Sequence, residues 1–194
     1  MFTGLIALTG EFKGYRGGRK ELLCSAPPLP GRLEIGDSLS VNGVCLSLLS
    51  REDGLLAFNL SRETLEKTTL GHLRIGERLN LEPPLTLKDP LGGHLVTGHI
   101  DAVGKVLKSV PRPPGKRLSV SFPAAIRPFF IPKGSVAVNG VSLTVASLGP
   151  SSFDAELIPL TLQGSNMGLL RPGDTVNIEC DIIGKYVYNF ARKP

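Results

Sequence analysis

Two short runs carry the residues best placed to do chemistry. Asn42-Gly43-Val44-Cys45-Leu46-Ser47 recurs, about 97 residues further on, as Asn139-Gly140-Val141-Ser142-Leu143-Thr144. In each, Asn-Gly supplies a backbone able to turn with positive φ, and the strand that follows sends alternate side chains to opposite faces. Cys45 and Ser47 therefore share one face, and Ser142 and Thr144 share its counterpart in the second copy. A half-buried strand would normally fill such a face with apolar groups; the hydroxyls could satisfy nearby backbone, but a thiol and three hydroxyls there, seen twice in register, point to ligand binding. A small buried filler is the plainer reading of Cys45.

A third run, Gly92-Gly93-His94-Leu95-Val96-Thr97-Gly98-His99, holds two of the three histidines. Together with Cys45 they do not read as a metal site. An i, i+5 pair on a strand points to opposite faces, and no further Cys or His pair exists to complete a tetrahedron. There is no Gly-x-Ser-x-Gly elbow, phosphate loop or Gly-x-Gly-x-x-Gly, so neither a serine hydrolase nor a tightly bound nucleotide cofactor is indicated.

The elements that must position these residues are duplicated. The same step maps Ser38 on Ser135, Thr64-Leu65 on Thr161-Leu162 and Gly71 on Gly168. It also maps Arg74, Gly76, Asn80 and Glu82 on Arg171, Gly173, Asn177 and Glu179. Thr3-Gly4-Leu5-Ile6 and Gly10 recur as Thr97-Gly98-His99-Ile100 and Gly104. The chain therefore divides near Gly92-Gly93 into two domains, 1–91 and 92–182, with a terminal helix over 183–194. Pro83-Pro84 and Asp89-Pro90 mark a connection short enough to leave the halves packed together.

Within each half the segments are short and rich in Val, Leu, Ile, Ser and Thr. Turn signals at Gly17-Gly18, Pro30-Gly31, Gly36-Asp37, Asp53-Gly54, Pro113-Pro114-Gly115 and Gly173-Asp174 break them, which reads as all-β: two small antiparallel barrels or sandwiches. Three stretches read as helix. Ser61–Lys67 has a capping residue and helix formers; its repeat around Thr161 is weaker, with Pro159 at its start; and 183–193 places Ile183, Val187 and Phe190 on one apolar stripe.

The net charge of +5 is spread along the chain without basic runs interleaved with aromatics, so it reads as a basic surface and excludes a nucleic-acid-binding stripe. No apolar run approaches the roughly 18 residues of a membrane helix, and the N-terminus lacks a secretion signal. Three cysteines, Cys24, Cys45 and Cys180, without CxxC spacing suit free thiols in a reducing cytoplasm.

Met1-Phe2-Thr3-Gly4, both Asn-Gly-Val-x-Leu copies, Glu63-Thr64-Leu65, the run from Gly92 to His99 and Val176-Asn177-Ile178-Glu179-Cys180-Asp181 together resemble riboflavin synthase. The resemblance covers essentially the whole chain, in order. It implies two tandem six-stranded Greek-key barrels with a short C-terminal helix, assembled as a homotrimer. It also implies conversion of two molecules of 6,7-dimethyl-8-ribityllumazine into riboflavin and 5-amino-6-ribitylaminouracil, without metal or redox cofactor.

Carried over by position, the first barrel's ligand wall comprises Gly4, Leu5 and Ile6; Cys45, Leu46 and Ser47; Asn59, Leu60, Ser61, Arg62, Glu63 and Thr64; and Gly98, His99 and Ile100. The second comprises Ser142, Leu143 and Thr144 with Glu156, Leu157, Ile158, Pro159, Leu160 and Thr161. Lys133 reaches across from a partner chain. His99, Cys45, Ser47, Ser142 and Thr144 are the catalytic candidates. The family often has Asp at the position of Asn139, and a more polar run where Leu160 follows Pro159. The chain stops at Pro194, soon after its terminal helix begins, so the implied trimer is expected to be weak. A non-catalytic lumazine- or flavin-binding antenna protein on the same two barrels is the alternative; it would keep one wall and lose the other.

Overall fold

The computed structural model describes residues 1–28 and 33–191. Six strands alternate apolar residues inward: β1 (Leu8–Arg16), β2 (Glu21–Ser25), β3 (Ser38–Val41), β4 (Val44–Glu52), β5 (Leu55–Asn59) and β6 (Arg78–Glu82). They pair in the cyclic order β1-β2-β5-β4-β3-β6 and close into a barrel, which removes the exposed edges of so small a sheet. Phe12, Leu22, Leu39, Leu46, Leu48, Phe58 and Leu79 fill its core. The β4–β5 hairpin turns on Asp53-Gly54, both with positive φ (50° and 78°), the conformation that two-residue hairpins require.

The second half repeats this plan with β7 (Ala102–Arg112), β8 (Gly115–Ser121), β9 (Ser135–Val138), β10 (Val141–Thr144), β11 (Ser147–Leu148), β12 (Ser152–Leu157) and β13 (Thr175–Cys180). Its curled sheet runs β10-β9-β13-β7-β8-β12-β11, the first barrel's order with one strand in two pieces. β10 and β11 together correspond to β4. The first barrel already carries a bulge there, between Leu48 and Ser50. At the matching place Val145 exchanges hydrogen bonds with Lys133 and Gly134 while Ala146 donates to Asp154, and the strand breaks between them.

Helix α1 (Arg62–Lys67) starts at Ser61, whose Oγ accepts from Thr64 N at 3.0 Å. Its counterpart α2 (Pro159–Gly164) has Ile158 at the cap position, unable to accept, and begins on Pro159, whose missing N–H is harmless in a first turn. Helix α3 (Ile182–Ala191) docks by an edge-on Tyr188–Phe129 ring contact and a 2.7 Å Lys185–Asp101 ion pair. Ile183, Val187 and Phe190 lie on α3 and remain about 60 % exposed. The expected turn at Pro30-Gly31 and the last three residues of the expected helix lie outside the described residues.

The two barrels meet across a pseudo-twofold axis on a buried amide network. Asn80 N donates to Asn42 Oδ1 and Asn177 N to Asn139 Oδ1, both at 2.8 Å. Their side chains then cross the interface: Asn80 Nδ2 to Asn139 O at 2.9 Å and Asn177 Nδ2 to Asn42 O at 2.8 Å. Gly43 and Gly140 sit back to back there, and a Cβ on Gly43 would lie 2.6 Å from the Gly140 nitrogen. Asn139, read as a departure at the second ligand wall, belongs instead to this interface and is 3 % exposed. The expectation of packed halves holds.

Candidate functional site

The strand that follows each Asn-Gly turn obeys the alternation read from the sequence. Val44 and Leu46 enter the first core while Cys45 is half-buried and Ser47 exposed; Val141 and Leu143 enter the second while Ser142 is half-buried and Thr144 exposed. Both barrels are packed solid with apolar side chains, so these polar faces look outward and a ligand would sit on the barrel's outer wall.

Two straps cover those faces. Residues 1–6 lead into β1, residues 95–100 lead into β7, and the two bridge each other between Phe2 and Val96, both fully buried. Thr3 N and Oγ1 donate to Glu82 Oε1 at 2.6 and 2.7 Å, and Gly4 N donates to Oε2 at 3.1 Å. The second strap repeats this on Glu179: Thr97 N and Oγ1 both at 2.6 Å, Gly98 N at 2.9 Å. Burial raises both glutamates above the ordinary carboxylate range, while the three donors on each pull the other way. Past its anchor each strap leaves its own barrel. Gly4 O accepts from Ser142 N at 2.8 Å, and Gly98 O accepts from Cys45 N at 3.0 Å. At positive φ, these glycines leave so little room that a Cβ would stand 2.6 Å from Ser142 Cβ and 2.4 Å from Cys45 Cβ, respectively.

This geometry corrects one assignment. Gly4, Leu5 and Ile6 are expected beside Cys45 from the resemblance; Gly4 instead lies on Ser142, and Ile6 packs on the second core. The physical reason is the crossing of the straps, which spacing along the chain does not reveal. Gly98 and Ile100 stay where they were placed, against Cys45 and the first core.

Beside Cys45 lies a pocket of about 350 Å³. Of the expected wall residues, Cys45, Ser61, Glu63, Thr64, Gly98, His99 and Ile100 line it, and the structure adds Val44, Lys67 and Thr68. Ser61, Glu63, Thr64, Lys67 and Thr68 come from α1 and its caps, so one short helix turns a cluster of hydroxyls, a carboxylate and an ammonium toward the space. Leu46 and Leu60 are core residues, while Asn59, Ser47 and Arg62 are exposed, Arg62 in a 2.7 Å pair with Glu66. A cleft of about 410 Å³ on the pseudo-twofold axis is larger, but Arg74, Glu77, Arg78 and Asp174 on its rim include none of the expected wall residues.

The second wall is chemically different. Where the first has Ser61, Glu63 and Lys67, it has Ile158, Leu160 and Gly164. Leu157 and Leu143 belong to the core, Glu156 pairs with Arg112 and Arg117 on the surface, and Lys133 is exposed. Sequence reasoning passed over the residue that marks this wall. His94 is 8 % exposed, and its Nδ1 lies 2.7 Å from Ser142 Oγ. Its Nε2 is buried without a hydrogen-bond partner among the described residues, and burial holds the imidazole below its ordinary pKa, against a smaller opposing pull from Asp181. A neutral imidazole bonded to a half-exposed hydroxyl is suited to moving a proton. The available signal was Gly93: a Cβ there would meet Thr3 O at 2.1 Å, so the chain must pass close enough to seat His94.

The family described as "Lumazine binding domain" matches residues 3–83 and again 97–181. Riboflavin synthase of Mycobacterium tuberculosis (strain ATCC 25618 / H37Rv) is 36% identical over 198 residues, covering 99% of this chain and 98% of the relative. The chain belongs to the riboflavin synthase family. The Actinobacillus pleuropneumoniae riboflavin synthase is 33% identical over 195 residues, covering 100% and 91%. Among solved structures, LumP complexed with riboflavin superposes with a TM-score of 0.85 at 22% identity, over 93% of this chain and 99% of that one, a likeness of fold. Membership bears out the two-barrel reading. No helix among the described residues is long and apolar enough to cross a membrane.

Proposed function

We propose that this chain is a riboflavin synthase, a transferase that dismutates two molecules of 6,7-dimethyl-8-ribityllumazine into riboflavin and 5-amino-6-ribitylaminouracil. What carries the reading is that both repeats keep a polar outer face closed by a strap, in a chain that aligns end to end with riboflavin synthases.

The substrate brings its own reactivity: the methyl at ring position 7 is acidic, and the ring accepts a nucleophile at that position. The protein therefore needs mainly to hold two copies against each other, where effective molarities of about 10⁵ M or more become available. The first wall takes one lumazine, its ribityl hydroxyls toward Ser61, Glu63 and Thr64 and its ring against Cys45, Gly98, His99 and Ile100. The second takes the other against Gly4, Leu5, Ser142 and α2, where the apolar Ile158 and Leu160 flank the ring. At this wall Ser142 Oγ and neutral His94 move the proton. His99 is the proton carrier at the first wall, and Ser47 and Thr144 are the exposed hydroxyls of the two walls.

Each unit, 1–91 and 92–182, supplies one wall and the strap for the other. Three chains associate through the exposed stripe of α3, so that walls on neighbouring chains face one another and Lys133 reaches a partner's site. The cytoplasm, where the three free thiols stay reduced, is the compartment that fits. The test is incubation with 6,7-dimethyl-8-ribityllumazine as sole substrate, followed by riboflavin fluorescence. Bound but unconverted lumazine would instead identify a non-catalytic binder.

A further inference from the structure

Glu82 and Glu179 take no part in this chemistry, yet each spends a buried carboxylate on one strap. We infer that each is a positioning residue for the ligand wall of the opposite barrel: Glu82 of the first barrel sets the Ser142 wall, and Glu179 of the second sets the Cys45 wall. The inference rests on reading the two polar faces as ligand walls.

The geometry is reciprocal. Glu82 lies on β6 and is 5 % exposed, Glu179 lies on β13 and is 2 % exposed, and each accepts three hydrogen bonds from the strap of its own barrel. The strap then crosses the axis. The residue carrying the last bonded N–H, Gly4 or Gly98, presents its carbonyl to the backbone N–H of Ser142 or Cys45 in the other barrel. Two residues on, Ile6 and Ile100 continue the exchange by packing on the opposite cores. A peptide fixed at its nitrogen by a carboxylate and at its oxygen by the wall has little freedom, and whatever moves the carboxylate moves the wall. A buried carboxylate is a costly anchor, but it takes three donors at once, which a neutral amide in the same space does not. In Glu→Gln one acceptor oxygen becomes an NH₂ facing a glycine N–H.

Amide hydrogen exchange on the ligand-free full-length protein reads both directions. Glu179→Gln should speed exchange of the Cys45 N–H by roughly tenfold while leaving that of Ser142 unchanged, and Glu82→Gln should do the reverse. A merely structural role would loosen the substituted residue's own barrel or every amide alike, and either pattern overturns the inference. Thr97→Val and Thr3→Val, which each delete one donor, carry the same crossed expectation if a glutamine variant does not fold. A separate measurement isolates the underlying reading. Cys24 and Cys180 are buried and their thiols pushed up, Cys24 to about 12, so Cys45 is the thiol an alkylating reagent reaches. Riboflavin should protect it in the unsubstituted protein and at least tenfold less well in Glu179→Gln, on the order of one lost charge-assisted bond. No protection in the unsubstituted protein overturns the wall assignment; full protection in both overturns the role of Glu179.

Discussion

Gly98→Ala tests the strap geometry in a single methyl group. Gly98 holds φ at +84°, and the added Cβ would lie 2.4 Å from Cys45 Cβ and 2.7 Å from Cys45 N, in the backbone of a packed barrel that cannot swing aside. Holding an L-residue in the left-handed region costs about 1–2 kcal/mol. Forcing a methyl into an already packed contact costs a further ~1–3 kcal/mol. Gly18→Ala separates the two, because Gly18 has φ of +67° and nothing within 4 Å of the position its Cβ would take. Urea denaturation of the three proteins should therefore order them as unsubstituted, Gly18→Ala, then Gly98→Ala. The two variants should differ by about 1–3 kcal/mol, a large share of a total near 5–15 kcal/mol. Riboflavin titration should be normal for Gly18→Ala and weakened for Gly98→Ala. Equal midpoints for the two variants, or unaltered riboflavin affinity in Gly98→Ala, would refute the claim that the strap closes the Cys45 wall.

His94→Ala should lower turnover by about 10²–10⁴-fold, with riboflavin affinity changed far less, since the group lost moves a proton. Burial depresses the His94 pKa, so below the ordinary imidazole value of ~6.5 the unfolded chain binds a proton that the folded chain refuses. Stability contributed by neutral His94 is thus present above that pH and lost as pH falls toward the folded value; the same slope should vanish from thermal melts of His94→Asn. Phe2 is fully buried against Val96 and Ala137, so Phe2→Ala should cost about 3–5 kcal/mol in a urea melt, and removal of residues 1–4 should also cut turnover at least about tenfold. Asn80→Ala strips bonds to Asn139 O, Asn166 Oδ1 and Asn166 N from the interface, and should cost about 3 kcal/mol or more and separate the barrels' melting into two calorimetric transitions.

The duplication, the all-β class and the three helices were legible because turn chemistry and alternation are local: Asp53-Gly54 turns as its residue types require, and Ser61 caps α1 while Ile158 leaves α2 uncapped. The wall around Cys45 was legible for the same reason, since alternation alone turns Cys45 out and Leu46 in. What stayed hidden was nonlocal. Nothing in the order of Thr3, Gly4 and Leu5 says that Gly4 lies on Ser142 rather than Cys45, because the crossing depends on how two barrels dock. His94 was not legible because its role comes from a serine 48 residues away in the chain, brought within 2.7 Å only by the fold. Glu82 and Glu179 were visible as a matched pair, but a matched pair of glutamates reads equally as surface charge until burial is known.

The most direct measurement mixes equal amounts of unlabelled lumazine and lumazine carrying ¹³C in both methyl groups, adds the protein and nothing else, and records the masses of the products. If two lumazines are held against each other and one hands its four-carbon unit to the other, riboflavin will appear with neither, one or both of its four-carbon units labelled, in binomial proportion. The uracil product will appear in equal amount to riboflavin and without label. Riboflavin that never mixes the two labels, or lumazine recovered bound and unchanged, would contradict it.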